Sequence, residues 1–257
     1  MGWRRPKPPA EPDAAALARM SSHELQQLLS GDPTVAARWV RVAAEGGLAE
    51  AQVRLGRMLL EGTGVARDPA QAARWFLIAA RAHHADAQNM LGRCYENGWG
   101  VEPDWGEAAR WYERSARAGH DWGQYNYGHL FLDGTGVARD PAQAYGWYLK
   151  AAAQGHARAQ NLVARCCEEG WGTERDPAAA AEWYRRSAEG GYFRAQYNYA
   201  TALAQRGEIA AAVGWFERAA EGGTPELRAR IAEILETARL PALAAAAARV
   251  RAMAAGS

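Results

Sequence analysis

The chain has 257 residues, and 30 basic against 29 acidic side chains leave a net charge of +1. That balance, without a block of like charge anywhere, argues against recognition of nucleic acid or of an anionic membrane through phosphate contacts. Apolar residues make up 49%, and the scarcity of Ile and Phe beside abundant Ala, Leu, Trp and Tyr favours helices over strands.

The first residues, MGWRRPKPPAEPD, are Pro-rich and charged and contain no apolar stretch of signal-peptide length. A disordered leader over residues 1–20 of a cytoplasmic protein is expected from them. Beyond it a tryptophan recurs as Trp39, Trp75, Trp111, Trp147, Trp183 and Trp215, at intervals of 36, 36, 36, 36 and 32. A fixed period of this size marks a stacked-repeat architecture in which each unit touches only its neighbours. Gln52, Gln88, Gln124, Gln160 and Gln196 keep the same period, and their recurrence points to a shared structural hydrogen bond.

Residues 21–47 form a degenerate first unit, whose first helix is SSHELQQLLS and whose Asp32-Pro33 lies seven residues before Trp39. Five further units follow at 48–83, 84–119, 120–155, 156–191 and 192–223. Each opens on a helix with apolar residues four apart, such as Ala87, Leu91 and Tyr95. A glycine turn ends that helix, Gly62-Thr63-Gly64-Val65 in one unit and Gly98-Trp99-Gly100-Val101 in the next. Asp68-Pro69, Asp140-Pro141 and Asp176-Pro177 then offer an N-cap acceptor followed by proline at the first helical position. The second helix carries the period tryptophan, which is expected to plug the space between successive pairs. Residues 224–257 are read as closing helices interrupted at Pro241. A two-unit rhythm overlies the period: GTGVARDPAQA at 62–72 recurs at 134–144, GWG at 98–100 recurs at 170–172, and QYNY at 124–127 recurs at 196–199.

Ala-Gln-x-x-Leu-Gly, then Gly-x-Gly-Val, Asp, and Trp-Tyr-x-x-Ala, as written over Ala87 to Gly119, resembles the Sel-one-like repeat (SLR), a relative of the tetratricopeptide repeat with a longer inter-helix turn. The resemblance implies an all-α fold, a right-handed α-solenoid of six stacked antiparallel helix pairs with C-terminal capping helices. It also implies a non-enzymatic scaffold that holds a protein or peptide in a concave groove lined by the first helices. The places then left for a partner are the third, sixth, tenth, thirteenth and fourteenth of each unit. The sixth and tenth places supply Asn89, Arg93, Tyr125, His129, Asn161, Arg165 and Tyr197 as groove candidates, four residues apart on one helix face. The asparagines suit peptide amides, the arginines a carboxylate and the tyrosines stacking, so an acidic or C-terminal peptide is the expected ligand. Alternatively these side chains are solvated, or pair with Glu96, Asp133 and Glu168. Trp99 and Trp171, in the glycine turns, are a second candidate edge or else pack onto the neighbouring turn.

A narrower alternative is a dedicated chaperone or immunity partner of a secreted effector, and a hydrolase is a remote third reading. No Ser-x-x-Lys, His-Glu-x-x-His or Gly-x-Ser-x-Gly occurs, and the Gly-x-Gly turns lack the lysine of a phosphate loop, so no catalytic residue and no cofactor is assigned. His84, His120 and His156 share the first place of successive units and give no metal-ligand spacing. Cys94, Cys166 and Cys167 read as small apolar residues without a disulfide.

Overall fold

A computed structural model describes residues 13–237 and 241–255. Among them the chain is helical throughout, and the helices fall into two compact units, one ending at Ala118 and one starting at Gly119.

The first unit contains α1 (Ala14–Arg19), α2 (Ser22–Ser30), α3 (Pro33–Glu45), α4 (Ala49–Glu61), α5 (Pro69–Arg81), α6 (Ala85–Asn97) and α7 (Trp105–Arg117). Helix α1 falls inside the stretch expected to be a disordered leader. Asp13 caps it by accepting from the Ala16 amide, and Leu17 faces Leu25, Trp39 and Val40 across an apolar depression. The cap and the apolar anchor both favour this short helix. Residues 1–12 of the expected leader lie outside the described residues. Ser21 and Glu24 form a reciprocal capping box at α2, and the second helices α3 and α5 start as Asp-Pro: Asp32 and Asp68 accept from amides of the first turn while Pro33 and Pro69 take the first helical position.

The second unit contains α8 (Asp121–Asp133), α9 (Pro141–Ala153), α10 (Ala157–Glu169), α11 (Pro177–Glu189), α12 (Phe193–Gln205), α13 (Ile209–Gly222), α14 (Pro225–Thr237) and α15 (Pro241–Ala255). It repeats the same grammar, with Asp140 and Asp176 as caps. Within each unit α4 packs on α5, α6 on α7, α8 on α9, α10 on α11, α12 on α13 and α14 on α15.

The recurring glutamine has the structural bond expected of it. Its amide donates to the carbonyl eight residues earlier, in the last turn of the preceding helix: Gln52 to Ala44 at 3.1 Å, Gln88 to Ala80 at 3.3 Å, Gln160 to Ala152 at 3.2 Å and Gln196 to Ala188 at 3.3 Å. Arg228 continues the series, its Nε donating to Ala220 at 2.9 Å. Helix α14 therefore enters the array as another first helix, in the repeat frame, with an arginine doing the glutamine's work.

The tryptophans fill the role assigned to them only in part. Trp39 and Trp111 are buried, but Trp75, Trp147, Trp183 and Trp215 are half-buried, and a cation three residues later lies over the ring of Trp111, Trp147, Trp183 and Trp215. The inter-helix plug is the next residue, Phe76, Tyr112, Tyr148, Tyr184 or Phe216, each buried. A Cβ at Gly92 would stand 2.7 Å from the Tyr112 ring, so the missing side chain is what lets that ring seat. The amphipathic indole suits the rim and the smaller aromatic the interior.

The plugs also explain part of the two-unit rhythm. Tyr112 donates its hydroxyl to Glu96, and Tyr184 donates to Glu168 at 2.7 Å, in each case sixteen residues back. At the alternate positions the residue sixteen back is apolar: Leu60 faces Phe76, which needs no acceptor, and Leu132 stands behind Tyr148, whose buried hydroxyl has no hydrogen-bond partner. Burial pushes all three phenols far above their usual range, and the neighbouring carboxylate adds to this for Tyr112 and Tyr184.

The long turn is a staple between pairs. Gly100 has φ +73°, and a Cβ there would sit 2.2 Å from the Pro69 carbonyl oxygen, so the turn after α6 rests directly on the start of α5. In three turns the same bond ties the turn to its own first helix: Arg67, Arg139 and Arg175 each donate Nε to a carbonyl in the last turn of that helix, at 2.9, 3.0 and 2.8 Å. These bonds satisfy helix-end acceptors that would otherwise be unpaired.

Candidate functional groove

In the second unit, the N-terminal helices of successive pairs border a groove of about 370 Å³. Tyr125 and His129 reach it from α8, Arg158, Asn161, Leu162 and Arg165 from α10, Tyr192, Arg194, Tyr197 and Asn198 from the start and body of α12, and Leu227 and Arg230 from α14. None of the described residues lining it is a carboxylate. All four arginines are exposed, and among the described residues none is in an ion pair. Each instead stacks on an aromatic face: Arg158 on Trp122 and Tyr192 at 5.3 and 5.8 Å, Arg165 on Trp171 at 4.7 Å, Arg194 on Phe193 at 5.9 Å and Arg230 on Tyr197 at 5.3 Å. Stacking orients a guanidinium plane while leaving its N–H edge free to donate.

The groove floor is a packed aromatic cluster. Tyr125 meets the His129 ring edge-on at 4.7 Å, the His156 ring at 5.0 Å and the Trp122 ring at 5.7 Å. Burial, and next to it Tyr192, push the Tyr125 phenol above its usual range, while Arg158 and Arg194 pull against this. His156 caps α10, its Nδ1 accepting from the Ala159 amide at 3.0 Å, and burial holds its pKa below the ordinary 6.5. His84 and His120 cap α6 and α8 in the same manner, which accounts for the recurring histidines without a metal. Among the described residues no group of three or more His, Cys, Asp or Glu is placed to hold a metal ion.

Five of the seven groove candidates, Tyr125, His129, Asn161, Arg165 and Tyr197, come together here. The free amide expected at Asn161 is not available at the surface, because the side chain is buried and accepts from Asn198 Nδ2 at 3.1 Å. Asn89 is likewise buried, within the first unit. Arg93 lies over Trp99 at 5.0 Å in that unit, beside Met90 and Arg57 in a smaller depression of about 240 Å³. Trp99 and Trp171 are thus half-buried supports for arginines rather than exposed edges. The carboxylates considered as arginine partners are engaged elsewhere in two cases, Glu96 by Tyr112 and Glu168 by Tyr184.

Residue-by-residue choice of the sixth and tenth places missed Arg158, Tyr192, Arg194, Asn198 and Arg230. The third place holds the signal for two of them: it runs Glu50, Asp86, Trp122, Arg158, Arg194. In the first unit the acidic members have partners, Asp86 an ion pair with Arg57 at 2.6 Å and Glu50 a hydrogen bond with His84 at 2.9 Å. A depression of about 540 Å³ in the first unit is bordered by Leu17, Leu25, Leu29, Trp39, Val40 and Leu48, with its arginines already engaged: Arg57 by Asp86, Arg54 by the Leu29 carbonyl. The second-unit groove gathers four arginines that are in no ion pair among the described residues, where the first-unit depression beside Trp99 has Arg93.

Antiparallel helix pairs joined by a glycine-stapled turn and locked to the previous pair by a side-chain amide define a helical-repeat protein. The chain belongs to the Sel1 repeat family, whose pattern matches residues 14–48, 49–84, 85–120, 123–156, 157–192 and 194–224. Sel1 repeat proteins are generally non-enzymatic helical scaffolds that bind other proteins. Among solved structures the chain is similar to a Sel1 repeat protein from Oxalobacter formigenes, at 28% identity and a TM-score of 0.82, with 92% of this chain and 99% of that one covered. It is also similar to a protective antigen of uropathogenic Escherichia coli strains that displays an SLR fold, at 28% identity and a TM-score of 0.72, over 90% of this chain and 52% of that one. The chain thus spans about half the length of that antigen. An immunity protein from Pseudomonas aeruginosa shares the fold at 16% identity and a TM-score of 0.54, with 81% of each chain covered. Among curated proteins none matches. No helix among the described residues is long and apolar enough to cross a membrane.

Proposed function

We propose that this protein is a non-enzymatic interaction scaffold that holds an acidic segment of a partner protein in the groove of α8, α10, α12 and α14. The observation that carries this reading is the set of four exposed arginines that lie over aromatic rings, in no ion pair, in a groove whose described lining residues include no carboxylate. Guanidinium groups held in this way donate two-pronged hydrogen bonds to a carboxylate at little further entropic cost, and Tyr125, Tyr192 and Tyr197 provide the rigid apolar area that anchors interfaces. The groove offers no activated nucleophile and no paired carboxylates, which favours binding over catalysis. In the narrower form of this reading, the partner is a single secreted effector that the protein chaperones or neutralises, and one stoichiometric partner would dominate the recovered proteins.

The test is affinity recovery from the native cell with the wild-type chain and an Arg158→Gln, Arg194→Gln, Tyr197→Ala variant, followed by mass spectrometry. Loss of the same partner from the variant, together with weakening of the wild-type complex as salt is raised, is the expected outcome. Undiminished recovery by a variant with native helical circular dichroism would overturn the assignment.

A further inference from the structure

Arg158 and Arg194 occupy the same place in successive units, the second residue of α10 and of α12. These two helices touch directly, through the Asn198 to Asn161 hydrogen bond. Neighbouring packed helices lie about 8–10 Å apart, which is the step expected between side chains at equivalent places. Both act on one point, the Tyr125 phenol, with Tyr192 beside it. A strand-like peptide is a poor match for this step, since its side chains return to one face every second residue, at about 6.8 Å. A polyproline-II segment returns to the same face every third residue, with a rise of about 3.1 Å per residue and hence about 9.3 Å per turn. It also needs no hydrogen-bonding partner for its backbone, and aromatic grooves are suited to the rings of its prolines.

We propose that the groove reads an acidic polyproline-II segment of the form Asp/Glu-x-x-Asp/Glu, with one carboxylate on Arg158 and the next on Arg194 and the intervening residues against Tyr125, Tyr192 and Tyr197. This rests on the groove being the binding site and adds the register and conformation of what binds. Leu162 and Leu227 line the same groove and give an apolar intervening residue such as proline a surface to bury.

The experiment is fluorescence anisotropy of the full chain with labelled, C-terminally amidated, proline-spaced peptides that carry two glutamates two, three or four residues apart at identical net charge. The three-residue spacing is expected to bind about tenfold or more tighter than the other two, since misplacing one charge-assisted pair forfeits about 1.5–3 kcal/mol. Arg158→Gln and Arg194→Gln, both at exposed positions, should each bring the three-residue peptide down to the level of the others. Equal binding at all spacings that still vanishes in the arginine variants would overturn the register while leaving the acidic groove intact. Binding at every spacing that ignores both variants would overturn the groove itself. Preference for a single-glutamate peptide with a free C-terminus would replace the two-carboxylate reading with capture of a chain end.

Discussion

Three tyrosines in equivalent positions differ in one respect, and the difference predicts opposite signs for the same substitution. Tyr112 and Tyr184 donate to Glu96 and Glu168, whereas the Tyr148 hydroxyl is buried with no partner. A buried polar group left without a hydrogen bond costs about 1–3 kcal/mol, and Tyr148→Phe removes the group while keeping the ring that fills the space at Gly128. The variant should be more stable by about 1–2 kcal/mol. Tyr184→Phe removes a bond to a charged acceptor, worth about 1.5–3 kcal/mol, part of which returns because exposed Glu168 regains water; a net loss of about 1 kcal/mol is expected. The two variants should therefore differ by about 2–3 kcal/mol, or about 4–12 °C in melting temperature at 2–4 °C per kcal/mol for a chain of this size. Urea unfolding followed by helical circular dichroism, with thermal melts at one scan rate, measures both. A third variant, Leu132→Glu, restores the acceptor that units at Glu96 and Glu168 have, and in its background Tyr148→Phe should lose its benefit. A neutral or destabilising Tyr148→Phe, or a Tyr184→Phe no worse than it, would refute the assignment of these hydroxyls.

Gly100→Ala should destabilise by about 3 kcal/mol or more, since its Cβ would fall 2.2 Å from a backbone oxygen at a φ of +73°; urea midpoints report this, and a loss under 1 kcal/mol (about) would mean the turn does not staple the pairs. His83 has φ +62°, where equivalent positions carry glycine, so His83→Gly should stabilise by about 0.5–1 kcal/mol in the same assay, and a loss would show the strain to be absent. Stability should fall as pH drops below about 6.5, because the unfolded chain takes up a proton at His156's ordinary pKa of 6.5 while the folded chain resists it until lower pH. Comparing urea midpoints at pH 7.5 and about 5.5 tests this: His156→Asn, which keeps an N-cap acceptor, should flatten that part of the profile, whereas an unchanged slope would assign it to other groups.

The fold was legible because its determinants repeat. Spacing alone located the helix pairs, the Asp-Pro starts and the glutamine bond, each of which acts within a few residues of its own position. The tryptophan's role was not legible, because periodicity reports that a residue is required without reporting which way it points; Trp183 and Tyr184 recur equally, and only burial separates rim from interior. The groove was half legible. Tyr125, His129, Arg165 and Tyr197 followed from the places that the repeat resemblance leaves for a partner, but whether an arginine is free depends on its neighbours, and the contrast between paired Asp86 and unpaired Arg158 and Arg194 is set by side chains in other units. Arg230 was hidden because residues 224–257 read as closing helices, and it stands at the seventh place counted from 224. Asn161 failed as a surface candidate for a related reason: Asn198, one helix further on, closes over it.

The bond that Gln52, Gln88, Gln160, Gln196 and Arg228 make to a carbonyl eight residues earlier bears on how the chain folds. A loop that short closes in about 10–100 ns, at a small and nearly constant entropic cost. Each new first helix can therefore be latched to the pair before it as soon as both have formed, with no need for a distant segment to arrive. Contacts of such low sequence separation favour rapid folding that starts at any pair and spreads to its neighbours. Because Arg228 makes the latch as well as glutamine does, what is specified is a donor at a position, and growth of the array by whole pairs needs little else at the seam.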